Sequence, residues 1–207
     1  PTERNLVAEA LGRKIAFIGV PGSGKSTLCN AAQVALSTFN RNVAVCQEYA
    51  REFITTHGFP EHPAMQYMIF DKQHDREEVL AAKNHLVLCD SPLYFNYLYA
   101  LYASDMTNEQ QRKAVNKLYK KAVSNQHDRY SHVFFLPRQF ETVDDGIRHP
   151  DHTTRLESLI SGFIESHKHQ WGTRFSILKS EETDPRAILH DRVRMVEEAL
   201  VGTPVGA

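Results

Sequence analysis

"GVPGSGKST", residues 19–27, is the stretch on which the fold turns. Its Gly19, Gly24, Lys25 and Ser26 fit the pattern G-x-x-x-x-G-K-[ST], a loop whose backbone N–H groups wrap phosphate. An apolar run, "KIAFIGV" (Lys14–Val20), leads into it. Leu28, Ala31, Ala32, Ala35 and Leu36 follow at the spacing of one helical face. Strand, glycine loop and helix together are the context this motif requires, and the helix N-terminus adds partial positive charge. Gly22, Ser23, Gly24, Lys25, Ser26 and Thr27 are therefore expected to hold the phosphates of ATP. Lys25 would reach the β- and γ-phosphates, and the Ser26 hydroxyl would ligate Mg²⁺.

Working outward, four more apolar runs read as strands: "NVAVC" (42–46), "HLVLCDSP" (85–92), "SHVFFLP" (131–137) and "RFSILKS" (174–180). Helical patterns lie between them. One starts at "EYARE" and stops at Gly58 and Pro60, and others cover 63–83, 93–102, 108–126, 155–169 and 185–200. Thr107 with Gln110 is a capping-box signal, and Asp184 with Pro185 marks the start of the last helix. Residues 138–154 have no periodicity, so a lid is expected over about 138–155. Strands alternating with helices predict an α/β chain of the P-loop NTPase fold, a five-stranded parallel sheet with helices on both faces. The 207 residues are read as a single domain over 1–207.

Composition narrows the function classes. A net charge of −1 gives no global basic field for nucleic acid or anionic membrane. No apolar run approaches the roughly 20 residues that cross a bilayer. The three cysteines, Cys29, Cys46 and Cys89, are widely spaced in apolar surroundings. They read as buried thiols of a cytoplasmic protein, not as a disulfide frame.

Ligands of open parallel sheets sit at the carboxyl ends of the strands. After the second strand come Glu48, Tyr49 and Arg51. Glu48 could take a proton from an acceptor hydroxyl, with Tyr49 and Arg51 beside the substrate. Asp90 ends the third strand, where an acid helps to hold Mg²⁺ or caps the next helix. Arg138, Arg148 and Arg155 belong to the lid with Asp145. A closing Arg can stabilise the charge of a migrating phosphoryl group. Tyr94 and Phe95 follow Asp90 closely enough to meet a flat substrate ring, whereas the rest of that aromatic run reads as core. Lys113, Lys117, Lys120 and Lys121 share a helix face, with Arg112 beside them. That face is either solvated or a contact for DNA phosphates. No "NKxD"-like stretch follows a later strand, which disfavours a guanine-nucleotide switch.

"GVPGSGKSTLCNA", "QEYAREF", "LVLCDSPL" and "VDDGIR" occur in this order at these strand ends. With them the chain resembles the nicotinamide riboside kinase domain of bacterial NAD-regulator proteins and the small P-loop ATPases and kinases built on it. The resemblance runs from about Lys14 to Leu200. It implies a kinase of a nucleoside-like hydroxyl. Gly22, Gly24, Lys25, Ser26 and Thr27 would form the phosphate and magnesium site, and Glu48 and Arg51 the acceptor side. Asp90 would be the acid near the metal, and Asp145 and Arg148 lid residues. Two other readings stand beside it: a kinase of a hydroxymethylated base in DNA, and a regulatory P-loop ATPase without a small-molecule acceptor.

Overall fold

The five apolar runs become β1 (Arg13–Ile18), β2 (Val43–Cys46), β3 (Leu86–Cys89), β4 (His132–Phe135) and β5 (Phe175–Ile177). In the computed structural model, which describes residues 11–38, 42–58, 60, 62, 64–124, 128–139 and 150–201, every strand pair is parallel. The order is β2-β3-β1-β4-β5. The sheet of the P-loop NTPase fold is thus present with all its strands.

A parallel sheet must be covered on both faces, because its crossovers put helices there. Along β1, Ile15 and Phe17 point to one face and Ala16 and Ile18 to the other, all fully buried. The first face carries α1 (Lys25–Ser37) and α7 (Pro185–Val201) through Leu28, Leu36, Val196 and Leu200. The second is covered by α3 (Met65–Ala81), α4 (Tyr94–Ala103), α5 (Glu109–Tyr119) and α6 (Pro150–Trp171). Between β2 and α3 lies α2 (Tyr49–His57), which Gly58 ends at φ 78°.

Three boundaries differ from expectation. Asn108 caps α5, its side chain accepting from the Gln110 and Gln111 amides, while Thr107 bonds Asp105 instead. The helical turns after α5 widen to a π-helix over Lys120–Ser124. Residues 150–154, expected in the lid, already belong to α6, where Pro150 takes the first-turn place that proline tolerates. At the other end of the chain the expected start holds: Asp184 Oδ1 accepts from the Arg186 and Ala187 amides, and Pro185 opens α7.

Buried polar groups tie the layers together. Glu77 of α3 is fully buried and accepts from Arg129 Nε at 2.8 Å and the Tyr130 hydroxyl at 3.0 Å. Tyr130 in turn accepts the Leu93 amide at 2.9 Å, which pins the turn after β3. The three thiols are free and buried, as expected. Burial pushes Cys46 up to about 12, which makes it a poor nucleophile. Among the described residues no helix is long and apolar enough to cross a membrane.

His132 on β4 gives the fold a pH dependence. Its Nε2 lies 3.0 Å from Ser176 Oγ and its ring 4.3 Å from that of Phe134. Burial, helped by the positive charge of Arg13, lowers its pKa from 6.5 to about 4. Above the unfolded value neither state binds the proton, so the contribution is complete; as pH falls from there toward the folded value, only the unfolded chain is protonated and stability is lost. Between about pH 7.5 and pH 4.5 the protein is expected to lose on the order of 2 kcal/mol more than His132→Gln, which does not titrate. Urea unfolding at both pH values checks this; equal losses would remove the assignment.

Candidate functional site

With all strands parallel, the loops after β1, β2, β3 and β4 open on one edge of the sheet. From the neighbouring strands β1 and β3 the chain departs to opposite faces, into α1 and α4. The crevice at such a switch point is where open α/β sheets bind ligands.

The phosphate loop fills that crevice. Gly19 admits no side chain: a Cβ there would lie 2.6 Å from Ser23 Oγ and 2.7 Å from the Leu136 carbonyl. Gly24 caps α1 at φ 89°, in the left-handed region that glycine enters without strain. Lys25 Nζ donates to the Gly19 and Val20 carbonyls at 2.7 and 3.0 Å and stands 5.6 Å from the centre of the Phe95 ring. Ser26 Oγ donates to Asp90 Oδ2 at 2.6 Å, which joins the loop to the end of β3. Thr27 is exposed at the far end of the loop.

Across the same edge, Glu48 is the N-cap residue of α2 but makes no side-chain capping bond. Its carboxylate receives the Ser91 hydroxyl at 3.3 Å and lies 3.7 Å from Arg51. The side chain is 19% exposed. Burial raises its pKa; the charges of Lys25 and Arg51 oppose this rise, and Asp90 adds to it. Tyr49 lies beneath the Arg76 guanidinium, 4.6 Å from ring centre to Cζ.

Other expected site residues are placed elsewhere. Tyr94 is 2% exposed and packs among Tyr130, Phe163 and Trp171, so its ring lies in the core and not against a substrate. The face of α4 that meets α6 takes it inward, and Phe95 is the aromatic that reaches Lys25. Arg155 lies over Tyr102, 5.0 Å from its ring centre, near the end of α4 away from the loop. Arg138 is held by Glu157 at 2.8 Å. Asp145 and Arg148 lie outside the described residues. The lysine face is exposed at Lys113, Lys117 and Lys120, the solvated alternative of the sequence reading; Lys113 pairs with Glu109, Lys121 with Asp71, and Lys117 lies 5.6 Å from the Tyr67 ring. Among the described residues no group of three or more His, Cys, Asp or Glu gathers as a metal cluster.

A buried arginine behind the loop escaped the sequence reading. Arg192 of α7 is 2% exposed and donates to the carbonyls of Leu178 (3.1 Å), Ser23 (2.7 Å) and Pro137 (2.8 Å), and to Gln139 Oε1 (2.8 Å). Ile188, Arg192, Val196 and Leu200 are spaced by four and buried. An arginine on an apolar stripe was the available signal.

A family model for the AAA domain matches residues 14–186. The chain belongs to this AAA domain family. Solved structures extend the likeness. A NadR protein in complex with NR superposes on the AAA domain with a TM-score of 0.72 at 18% identity, over 95% of this chain and 54% of that one. Deoxyadenosine kinase from M. mycoides with bound dATP gives 0.61 at 12% identity, over 89% and 99%. Thymidylate kinase from Ehrlichia chaffeensis gives 0.58 at 16% identity, over 90% and 97%. The chain spans about half the length of the NadR chains it matches. Among curated proteins none matches by sequence. The expected likeness to NadR proteins and the P-loop kinase fold are borne out.

Proposed function

We propose that this chain is an ATP-dependent kinase that transfers the γ-phosphate to a hydroxyl of a nucleoside-like small molecule. One observation carries this reading: a carboxylate, Glu48, stands on the sheet edge beside the phosphate loop, turned to Ser91 and making no capping bond to the amides of its own helix. A hydrolase would also use a carboxylate, to orient water, but β3 runs into Asp90–Ser91 without a second adjacent acid, which favours an alcohol acceptor. The neighbours with kinase names support the same choice.

In this reading Lys25 leaves the loop carbonyls for the phosphates, and the glycine-loop amides face the β-phosphate. The acceptor hydroxyl oxygen bonds to the γ-phosphorus as the bond to the β–γ bridging oxygen breaks. Glu48 takes the hydroxyl proton and ADP departs. Arg51 and Tyr49 flank the acceptor. The Ser26 hydroxyl and the Asp90 carboxylate, already in contact, are the hard oxygen donors that suit Mg²⁺ beside phosphate oxygens. When bound, that ion would neutralise phosphate charge.

The test is an acceptor screen. Mg-ATP labelled in the γ-phosphate is offered with nucleosides, nucleotides and hydroxymethylated DNA. Label is expected on a nucleoside. Label released only as free phosphate would overturn the kinase reading, and label on DNA alone would move the acceptor to a polymer.

A further inference from the structure

Glu48 raises a physical question. A helix N-cap side chain, most often Ser, Thr, Asp or Asn, accepts an amide of the first turn and satisfies one of the helix's orphan donors. Glu48 makes no such bond. Its carboxylate is turned instead to Ser91 and Arg51. Something else must hold the start of α2.

Gln73 of α3 does so. Its Oε1 accepts the Tyr49 amide at 2.9 Å, and its Nε2 donates to Cys46 Sγ at 3.3 Å. Cys46 is the last residue of β2 and Tyr49 the first of α2. The two bonds therefore straddle the connection Gln47–Glu48 and fix it at both ends. Gln73 is 3% exposed, so water does not compete for these bonds. One turn further along α3, Glu77 is anchored by Arg129 and Tyr130, which keeps this face of the helix in place. Tyr130 also holds the Leu93 amide, beyond Asp90 and Ser91. Both sides of the Glu48–Ser91 contact thus refer back to α3.

We infer that Gln73 is a positioning residue for phosphoryl transfer: it holds the first amide of α2 and the end of β2, and so fixes the connection that turns the Glu48 carboxylate to the acceptor side. The inference rests on the reading of Glu48 as the acceptor base. The energetic logic is direct. Without the Gln73 amide, the Tyr49 N–H is left without its acceptor and the first turn of α2 can shift, which brings the Glu48 carboxylate toward the open amides of that turn. A base drawn into capping loses both its aim and its proton affinity, since a bond to the charged form stabilises that form. Displacements of about 1 Å can lower a rate by roughly 100-fold.

A double-mutant cycle on the whole chain separates positioning from mere packing. Gln73→Met keeps the side-chain length and removes both hydrogen bonds. With labelled Mg-ATP and the nucleoside that takes the most label, it is expected to lower kcat about 10- to 100-fold with KM for ATP within about twofold. In a Glu48→Gln background the same change is expected to lower kcat by no more than about twofold, because there is no base left to misplace. Equal losses in both backgrounds, or no loss in either, would overturn the inference while leaving the kinase reading intact. Transfer at the wild-type rate by Glu48→Gln, or to no member of the panel, would overturn the reading of Glu48 and this inference with it. Should Gln73→Met not fold, Gln73→Asn, one methylene too short for either bond, runs the same cycle with the same expected outcome.

Discussion

Glu48→Gln is expected to lower phosphoryl transfer about 10³-fold while ATP affinity stays within about twofold. The substitution keeps the number of heavy atoms in the side chain. Its amide oxygen can still accept from Ser91, so the contact that orients it survives. What is lost is the capacity to take the acceptor proton. In the proposed reading ATP is held by another set of groups, the loop amides, Lys25 and the Ser26–Asp90 pair. Binding and transfer should therefore separate cleanly, which calorimetry with a non-hydrolysable ATP analogue and a label-transfer assay would show. The pH profile carries a second signature. Burial lifts the Glu48 pKa above its ordinary 4.5, and Lys25 offsets only part of this. Transfer needs the ionised form, so activity should fall with acid through a midpoint above the usual carboxylate range. Glu48→Gln should have no such limb. Transfer by the variant at the wild-type rate would remove Glu48 as the base.

Those residues were legible because they depend on local rules. A glycine loop between an apolar strand and an amphipathic helix has one architecture, and parallel strands put all following loops on one edge. Glu48, Asp90 and the loop therefore had to converge. The Ser26–Asp90 contact is a step further, since it needs β3 next to β1, and strand order leaves no local mark. The errors have the same origin. Tyr94 follows Asp90 closely in sequence, but the side of α4 on which it falls is taken by α6. The lysine face read as solvated does stand exposed at Lys113, Lys117 and Lys120, and only tertiary packing brings Tyr67 to Lys117 and Asp71 to Lys121. Gln73 and Arg192 are polar residues at buried helical positions. Periodicity shows only that they interrupt a stripe; what they bond to is set by tertiary packing.

Arg192 gives the largest expected loss of stability. Arg192→Met is expected to destabilise the fold by about 4 kcal/mol, because several buried carbonyl oxygens lose their donor and each costs roughly 1–3 kcal/mol if left unpaired. For a chain of this size that lowers Tm by about 10 °C. Burial brings the guanidinium pKa down to about 10, which still leaves it charged at neutral pH. The bond to Ser23 adds a functional consequence. The Ser23 carbonyl and the Gly24 N–H belong to one planar trans peptide, so they point in opposite directions. Arg192 draws that carbonyl inward at 2.7 Å. The Gly24 N–H is thereby turned outward, to where the loop holds phosphate. Released from Arg192, the peptide can rotate, and affinity for Mg-ATP is expected to fall about tenfold at a temperature where the variant remains folded. Arg192→Lys should lie between the two, since one ammonium cannot span Leu178, Ser23, Pro137 and Gln139 in the fixed fork of a guanidinium. Thermal unfolding with and without nucleotide reads both effects. A variant that loses stability but binds Mg-ATP as tightly as the wild type would confine Arg192 to the core; unchanged Tm would contradict the assignment of its hydrogen bonds.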